Sequence, residues 1–328
     1  MLLDTHGRGH DNLRISVTDR CNLRCFYCMP EGEPTYLPRA EILTFEEIER
    51  FVRVAVGLGV NKVRLTGGEP LMRRGLALLV AKLAAIPGVR DLALTTNGLL
   101  LAEQAQGLHD AGLRRLNVHL DTLDPAKFKR LARRDGVERV MEGLAKAQAV
   151  GFKTIKINAV AVRGDTEDDL VPLARLGRER GFEIRFIEYM PLDVQNAWER
   201  QKVLFGRDII ARLSQEVAPL DPVAPAYPGA PANEFAYRDG AGQVGIIASV
   251  SQPFCQSCNR IRLTADGMLR YCLFAREETD VRTALRSGAS DAALATLIKD
   301  TVRAKWEGHE INQARFLRPQ RPMYAIGG

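Results

Sequence analysis

Six segments with the alternating pattern of a β-strand follow one another along the first 190 residues, and amphipathic segments with helical periodicity separate them. The predicted strands cover residues 13–17, 62–66, 91–95, 116–120, 154–160 and 183–190. The predicted helices cover residues 45–58, 76–85, 101–111, 138–150 and 170–180. Because successive βα units lay their strands side by side, this order predicts an α/β fold with a parallel sheet, either open or curled into a barrel.

One face of nearly every predicted strand is polar, which is unusual for a parallel sheet. In the first strand Leu13 and Ile15 point to one face, whereas Arg14 points to the other. The polar faces carry Arg14, Ser16, Thr18, Arg64, Thr66, Thr95, Asn117, His119, Thr154, Lys156 and Asn158. A parallel strand covered on both faces is expected to be apolar throughout, and a closed eight-stranded barrel fills its lumen with apolar side chains. We therefore predict an incomplete barrel with a wet, ligand-filled interior; the alternative is a sheet with one solvent-exposed face.

The composition is that of a globular protein. The chain has 328 residues, 46% of them hydrophobic, and a domain typically has roughly 150 residues, so we expect about two domains. No apolar run approaches the roughly 18 residues of a membrane span, and the first residues lack the apolar core of a signal peptide. We therefore expect a cytoplasmic protein without a membrane partner.

With 46 basic and 40 acidic residues the net charge is +6, which suits a phosphate-rich substrate or a nucleic acid.

Proline marks a change of organisation after residue 217. Five prolines recur at every third position from 219 to 231, which is the period of a polyproline II helix. We therefore divide the chain into a partial-barrel domain (1–217), a stiff extended connector (218–232) and a C-terminal domain (233–328).

Six cysteines form two groups of three that lie more than 200 residues apart. The first group is Cys21, Cys25 and Cys28, and the second is Cys255, Cys258 and Cys272. Groups of odd number do not pair internally as disulfides, and a reducing cytoplasm disfavours such bonds. Three thiolates are one short of the four that complete a zinc site or an iron–sulfur cluster. Each group therefore predicts a metal centre with one open position, and zinc with a distant fourth ligand is the alternative.

A predicted β-hairpin brings the second group together. An Asp-Gly turn signal at 266–267 lies between two alternating runs, 260–264 and 268–274. The register that this turn sets returns Cys272 to the side of Cys258, so the three cysteines of the second group converge.

Two motifs resemble those of the radical S-adenosylmethionine (SAM) superfamily. One is CNLRCFYC, in which the aromatic Tyr27 precedes the third cysteine, and the other is GGEP at residues 67–70, after the second predicted strand. In that superfamily three cysteines hold a [4Fe–4S] cluster and SAM chelates the fourth iron. Glycines allow backbone to approach a ligand closely, and Glu69 can accept a hydrogen bond from an ammonium group.

Further segments narrow the resemblance to one family and extend it over almost the whole chain. The similarity is carried by TDRCNLRCFYCMP, LTGGEPLMRR, LTTNGLLL, FIEYMPLD, CQSCNRIRLTADGMLRYCLF and the final Gly-Gly. Together they closely resemble the GTP 3',8-cyclases of molybdenum cofactor biosynthesis. The pair of arginines after the second cysteine pair separates this family from other radical SAM enzymes.

The resemblance implies a lyase that converts GTP to (8S)-3',8-cyclo-7,8-dihydroguanosine 5'-triphosphate. The first [4Fe–4S] cluster reduces SAM to methionine and a 5'-deoxyadenosyl radical, which removes hydrogen from ribose C3'. The C3' radical then attacks C8 of the guanine, which the second [4Fe–4S] cluster binds through its open iron. The implied fold is a partial (β/α)6 barrel whose open side is closed by a C-terminal iron–sulfur domain.

The implied partners are GTP, a reducing electron donor and the next enzyme of the pterin pathway, cyclic pyranopterin monophosphate synthase. The chain is expected to be a homodimer or a monomer, and not to bind nucleic acid.

The resemblance also implies a role for individual residues. The two cysteine groups ligate the first and second clusters. SAM contacts fall on Tyr27, Gly68, His119 and Met190. GTP contacts fall on Arg14, Arg64, Thr95, Lys156, Arg260, Ile261 and Arg262. His119 departs from the serine usual in this family, and the final Gly327 and Gly328 are expected to act in catalysis.

Two other functions are consistent with the residues alone. A different radical SAM enzyme with an auxiliary cluster, such as one that modifies peptides, would lack the Arg-x-Arg after the second cysteine pair. A basic zinc protein that binds nucleic acid would contain zinc without sulfide.

Overall fold

A computed structural model describes residues 1–195, 197–225 and 227–328. Its strands are β1 (Asn12–Ser16), β2 (Lys62–Thr66), β3 (Asp91–Thr96), β4 (Arg115–His119), β5 (Thr154–Ala161), β6 (Glu183–Glu188), β7 (Leu220–Val223), β8 (Asn233–Tyr237), β9 (Gln243–Ile247), β10 (Arg260–Leu263), β11 (Met268–Arg270) and β12 (Thr279–Asp280). Its α-helices are α1 (Phe45–Gly57), α2 (Leu76–Ala84), α3 (Leu101–Asp110), α4 (Pro125–Ala132), α5 (Val137–Val150), α6 (Leu170–Arg180), α7 (Gly206–Glu216), α8 (Val281–Arg286), α9 (Asp291–Arg303) and α10 (Met323–Ile326). The six predicted strands and the five predicted helices are all present, with shifts of a residue or two at most of their ends.

Capping residues in the sequence mark where several helices begin and end. Thr44 and Glu47 form a capping box at the start of α1, each side chain bonding the other residue's backbone N–H. Helices α5 and α6 end at Gly151 and Gly181, whose φ angles of 109° and 73° suit glycine. The apolar faces of these helices pack on the outer face of the sheet.

All twelve strands lie in one mixed sheet, in the order β12-β11-β10-β1-β2-β3-β4-β5-β6-β9-β8-β7. Strands β1 to β6 are parallel neighbours, as predicted. Two strands from the C-terminal third extend the parallel part, since β10 pairs with β1 and β9 pairs with β6. Strands β12 and β7 form the two edges, so the described sheet is not closed into a barrel.

The alternation predicted from the sequence sets which side chains face the helices. Leu13 and Ile15 are fully buried in the main hydrophobic core. Between them Arg14 pairs in register with Arg64 of β2 on one side and Arg262 of β10 on the other. Three arginines from three adjacent strands therefore lie side by side on the face away from the helices.

The Pro-rich segment, predicted as a stiff extended connector, is partly paired into the sheet. Its first part forms β7, an edge strand that pairs antiparallel with β8. Proline is tolerated at Pro222 because an edge strand need not donate every N–H. The segment is thus extended but partly bound into the sheet, and Ala226 lies outside the described residues. The division into three domains remains a prediction.

The hairpin before Cys272 has the predicted register. Arg262 pairs with Arg270 and Leu263 with Leu269, and the N–H of Thr264 donates to the carbonyl of Met268 at 2.9 Å. Among the described helices, none has the length and apolar character needed to cross a membrane.

Candidate active site

The first three cysteines lie on the loop that follows β1, at the carboxyl edge of the parallel strands. All three are free thiols that line one cavity of about 210 Å³, together with Gly68, Glu69 and other residues of neighbouring strand ends. Within the described ranges, no three His, Cys, Asp or Glu side chains converge to hold a single metal ion. A cubane bonds each thiolate to a different iron and does not need such convergence. Three thiol donors around one cavity fit an iron–sulfur cluster with one open position.

The GGEP loop binds directly to the cysteine loop. The N–H groups of Gly68 and Glu69 donate to the carbonyls of Thr18 and Arg20, both at 2.7 Å. A Cβ at Gly68 would lie 2.3 Å from the Arg20 carbonyl oxygen. Because the obstructing atom belongs to backbone, glycine is required for this close approach. The Glu69 carboxylate accepts from the N–H of Asn97 at 2.7 Å and the hydroxyl of Thr96 at 2.6 Å, so it also ties the loop after β3 to this site.

Gly68→Ala is expected to displace the cysteine loop and to lower the iron retained at the first site. Overpacking of this kind costs about 1–3 kcal/mol, which corresponds to roughly a tenfold or larger loss of the productive loop conformation. The measurement is iron and sulfide per chain after anaerobic reconstitution. Gly32→Ala is the matched control, because a Cβ there meets nothing within 4 Å. Equal iron in the two variants would contradict this account of the GGEP loop.

His119, Tyr27 and Asp121 form a hydrogen-bonded group beside the first triad. The Tyr27 hydroxyl donates to Asp121 Oδ2 at 2.5 Å and lies 2.5 Å from His119 Nε2, which is 3.0 Å from the same carboxylate oxygen. Burial favours a lower pKa for His119, but the Asp121 carboxylate outweighs it and raises the pKa well above 6.5. His119 thus fixes Tyr27, and with it the cysteine loop, against β4.

Two thiols of the first triad, those of Cys21 and Cys28, are difficult to ionise in the absence of a metal. Burial, followed by the nearby Glu69, raises the pKa of Cys21 to about 12. Burial and the two neighbouring cysteines raise the pKa of Cys28 well above 9. A bound metal would supply the positive charge that stabilises the thiolate form, and its binding would release the thiol protons.

The second three cysteines line an adjoining cavity of about 160 Å³. Lys305, which is 4% exposed, places Nζ 3.4 Å from Cys258 Sγ and donates to the Arg260 carbonyl at 2.9 Å. Burial opposes ionisation of Cys258, but the charges of Arg260 and Lys305 prevail and lower its pKa to about 6. The second triad therefore sits in a positive environment that suits a thiolate bound to iron.

The two cavities adjoin, because Thr95, Asn158, Ile187, Met190, Met323 and Gly328 line both of them. The sheet thus brings the two cysteine groups to opposite ends of one interior space. All four residues predicted to contact SAM line the first cavity.

Five arginines line the second cavity, and four of them, Arg14, Arg64, Arg260 and Arg262, have few partners. Arg260 and Arg262 are each 6% exposed, while Arg14 and Arg64 are half-buried because they face the cavity. Arg14 Nε, Arg64 Nε and Arg260 Nη2 are buried donors without a hydrogen-bond acceptor in the described part of the chain. Burial, and then the charge of Arg262, lower the pKa of Arg14 well below 12.5. Burial, and then the charge of Arg260, lower the pKa of Arg262 to about 10. This arrangement fits a polyanion that would satisfy both the donors and the charges.

Two predicted GTP contacts lie apart from the rest. The Ile261 side chain is fully buried in the hydrophobic core, on the opposite face of β10 from the cavity. Lys156 is outside the set of residues that line either cavity, and its Nζ pairs with Glu183 Oε2 at 2.5 Å. The strand pattern placed Lys156 on the polar face correctly, but this face extends beyond the residues that line the two cavities.

The final residues fold back into the interior. Helix α10 leads to Gly327, whose carbonyl accepts from Arg262 Nη1 at 2.6 Å. A Cβ at Gly327 would lie 2.8 Å from Ser16 Cβ, and its φ of 92° suits glycine. Gly328 lines both cavities, so the tail lies at their junction.

Sequence reasoning gave no role to several residues that line the site. Arg185 lines the second cavity and is 6% exposed; its position two residues after Glu183 on a predicted strand was the available signal. His309 lines the second cavity, and its Nδ1 is buried without a partner among the described residues. Tyr324 lines the first cavity, and nothing in the local sequence pattern indicates it.

Solved structures show the same fold. The Streptococcus suis SuiB structure bound to S-adenosylmethionine matches 91% of this chain and 68% of its own, with a TM-score of 0.64 and 15% identity. The native anSMEcpe structure with bound AdoMet matches 92% of this chain and 82% of its own, with a TM-score of 0.58 and 15% identity. At this identity the likeness concerns the fold alone.

Sequence comparisons are more specific. The sequence model of the Radical SAM superfamily matches residues 15–177, and that of Molybdenum Cofactor Synthesis C matches residues 182–311. A GTP 3',8-cyclase of Rhodopirellula baltica is 51% identical over all of this chain and 92% of its own length. One from Acidothermus cellulolyticus is 50% identical over 92% of this chain and 85% of its own length. With two cysteine triads facing one interior and relatives this similar over their whole length, the chain belongs to the GTP 3',8-cyclase family of radical SAM enzymes.

Proposed function

We propose that this chain converts GTP to (8S)-3',8-cyclo-7,8-dihydroguanosine 5'-triphosphate, the first step of molybdenum cofactor biosynthesis. The observation that carries the proposal is the pair of adjoining cavities, each lined by three free cysteines, with five arginines around the second. A radical generated in one cavity acts on a substrate held in the other, so both must open onto the same space. The arginines supply the charge that a triphosphate requires.

The chain uses S-adenosylmethionine and two [4Fe–4S] clusters as cofactors. Cys21, Cys25 and Cys28 hold the first cluster, and Cys255, Cys258 and Cys272 hold the second. When bound, these groups supply a carbon-centred radical at one end of the interior and an open iron for the purine at the other. The six thiol ligands suit a reducing compartment such as the cytoplasm.

The first cavity is the SAM site of this proposal. Tyr27, Gly68, His119 and Met190 surround it. The main role of His119 is to hold Tyr27 in position, because its Nε2 already contacts Tyr27 and Asp121. The imidazolium adds a positive charge to the wall of the cavity, which suits the carboxylate of a bound amino acid.

The strand order supports a finer architecture that is part of this proposal. Strands β1 to β6 and their helices form a partial (β/α)6 barrel, and the segment after the Pro-rich residues closes its open side with the second cysteine triad. The parallel pairing of β10 with β1 and of β9 with β6 supports this arrangement, because the C-terminal strands continue both ends of the six-stranded unit.

Arg14→Met is expected to weaken GTP binding on the order of 1.5–3 kcal/mol, since a charge-assisted hydrogen bond is lost. This equals roughly a 10- to 100-fold rise in Kd. Lys156→Met is the matched variant and is expected to have a smaller effect, because Lys156 already pairs with Glu183. The measurement is the Kd of GTP and of SAM by anaerobic calorimetry.

Two further readouts test whether Arg14 serves the ligand or the fold. Removal of one like charge from the buried arginine group should keep the Tm of the ligand-free protein at or above the wild-type value. A lower Tm together with equal weakening of GTP and SAM would give Arg14 a structural role instead.

The deciding experiment is anaerobic incubation of the reconstituted protein with SAM, dithionite and one nucleoside triphosphate at a time. We expect 5'-deoxyadenosine and a cyclised nucleotide with GTP, and little product with ATP, because a site that hydrogen-bonds guanine rejects a base without the matching edges. Zinc without sulfide, and no 5'-deoxyadenosine, would favour the nucleic-acid-binding alternative. Cleavage of SAM without cyclisation of any nucleotide would favour another radical SAM reaction.

A further inference from the structure

A cleft rich in arginine lies beside the loop that carries Cys21, in a cavity separate from the two that form the site. Its volume is about 510 Å³, and its lining includes Arg20, Arg39, Arg73 and Arg74. Its walls come from the residues just after β1, from the segment before α1 and from the turn after β2. We call it the arginine cleft.

The positive charge of this cleft is largely uncompensated. Arg20, Arg39 and Arg74 are exposed, and in the described part of the chain none of their side chains pairs with a carboxylate within 4.0 Å. Asp19 is the acidic residue of the lining, but it is 3% exposed and accepts from the N–H of Leu37 at 2.6 Å. Its carboxylate therefore stabilises the backbone at Leu37 and presents little surface to a partner.

Arg73 is held in place as the floor of the cleft. Its guanidinium donates to the carbonyls of Val17 at 2.6 Å and Leu43 at 2.7 Å, and it lies 4.8 Å from the centre of the Phe45 ring. Burial, and then the charge of Arg39, lower the pKa of Arg73 below 12.5. The two guanidinium groups are thus close enough to repel each other, and an anionic partner would relieve that repulsion.

The cleft is connected to the first cysteine triad through one wall. Arg20 immediately precedes Cys21, and its guanidinium lies 5.3 Å from the centre of the Tyr36 ring. The Tyr36 hydroxyl in turn donates to the Cys21 carbonyl at 3.5 Å. On its inner side the triad faces the cavity that Tyr324 and Gly328 also line. The arginine cleft therefore lies on the outer side of the loop that carries Cys21, where a macromolecule can approach the triad.

We propose that the arginine cleft is the docking surface for a small acidic electron-carrier protein that reduces the first cluster. The inference rests on the proposed function, in which each SAM cleavage consumes one electron from outside. In the docked pair one electron leaves the reduced carrier and enters the oxidised cluster, and no bond is made or broken. A nucleic acid would also be attracted by the charge, but it cannot supply this electron. Carrier complexes of this kind are small and transient, and opposite charges accelerate their association.

The test compares two ways of reducing the same enzyme. Reduced flavodoxin, a small acidic FMN protein, is the carrier probe, and dithionite is the small-molecule reductant. The variant is Arg39→Glu/Arg74→Glu, which spares Arg20 beside the ligand loop and the bonded Arg73. The matched control is Arg90→Glu/Arg114→Glu, because these exposed arginines directly precede β3 and β4 at the opposite edge of the sheet.

We expect the cleft variant to lose at least about tenfold in kcat/KM for reduced flavodoxin at low ionic strength, and the loss to shrink as salt is added. Iron content and dithionite-driven formation of 5'-deoxyadenosine should equal those of the wild type. The control variant should match the wild type with both reductants.

Three results would overturn the inference. The first is an unchanged flavodoxin-driven rate in the cleft variant. The second is an equal loss with flavodoxin and dithionite, which would assign the arginines to folding or cluster retention. The third is loss of binding to a duplex oligonucleotide with an unchanged flavodoxin-driven rate. Failure of the proposed function gives a different result, because wild-type protein would then form no 5'-deoxyadenosine even with dithionite.

Discussion

Cys21→Ala is expected to abolish cleavage of SAM, whereas Cys272→Ala is expected to retain part of it and to form no cyclised nucleotide. The reason is the separation of the two triads into adjoining cavities, the first with the residues assigned to SAM and the second with the arginines. Each variant should hold about four irons and four sulfides per chain after reconstitution, against about eight of each in the wild type. The products are measured by chromatography and mass spectrometry of 5'-deoxyadenosine and cyclised GTP.

A matched pair makes this result specific. Cys255→Ala removes a ligand from the same triad as Cys272, but Cys255 lies in a short 3-10 helix rather than at the end of the hairpin. The two variants should therefore share one phenotype, if the triad acts as a unit. Cyclised product at the wild-type rate from Cys272→Ala would mean that the second triad is not part of the substrate site.

The strand pattern predicted the face on which the chemistry lies. Alternation put Arg14 and Arg64 opposite the core, and both line the second cavity. Alternation also puts Ile261 opposite its two arginine neighbours, and its side chain is buried in the core as that pattern requires, so its assignment to GTP stays a prediction. Period-two reasoning works at these positions because adjacent side chains on a strand must point to opposite faces.

Other features depend on which strands become neighbours, and a single strand's pattern does not determine that. Lys156 was correctly assigned to the polar face, but its partner Glu183 comes from β6. Likewise, β10 joins β1 across about 250 residues of sequence, which no local signal predicts. The junction of the cavities and the arginine group both arise from these long-range pairings, so the residues of the site were more predictable than their contacts.

Deletion of Gly327 and Gly328 is expected to lower GTP cyclisation sharply while both clusters and uncoupled SAM cleavage persist. Chain ends are usually frayed, and ordering two glycines is entropically costly. Here the Gly327 carbonyl accepts from Arg262 at 2.6 Å, and Gly328 lies where the two cavities meet. Loss of the tail frees Arg262 and opens the junction, so the substrate is held less well in front of the radical, although neither triad is touched.

Two alanine variants should reduce GTP cyclisation to different extents. A Cβ at Gly327 would meet Ser16 Cβ at 2.8 Å at a φ of 92°, whereas a Cβ at Gly328 would meet only the end of the flexible Met323 side chain. Cyclisation should therefore fall in the order wild type, Gly328→Ala, Gly327→Ala and the deletion, with iron content constant throughout. The ratio of 5'-deoxyadenosine to cyclised product should rise in the same order, because the radical is still generated but is used less often on GTP. Wild-type turnover in the deletion variant would show that the interior position of the tail has no role in catalysis.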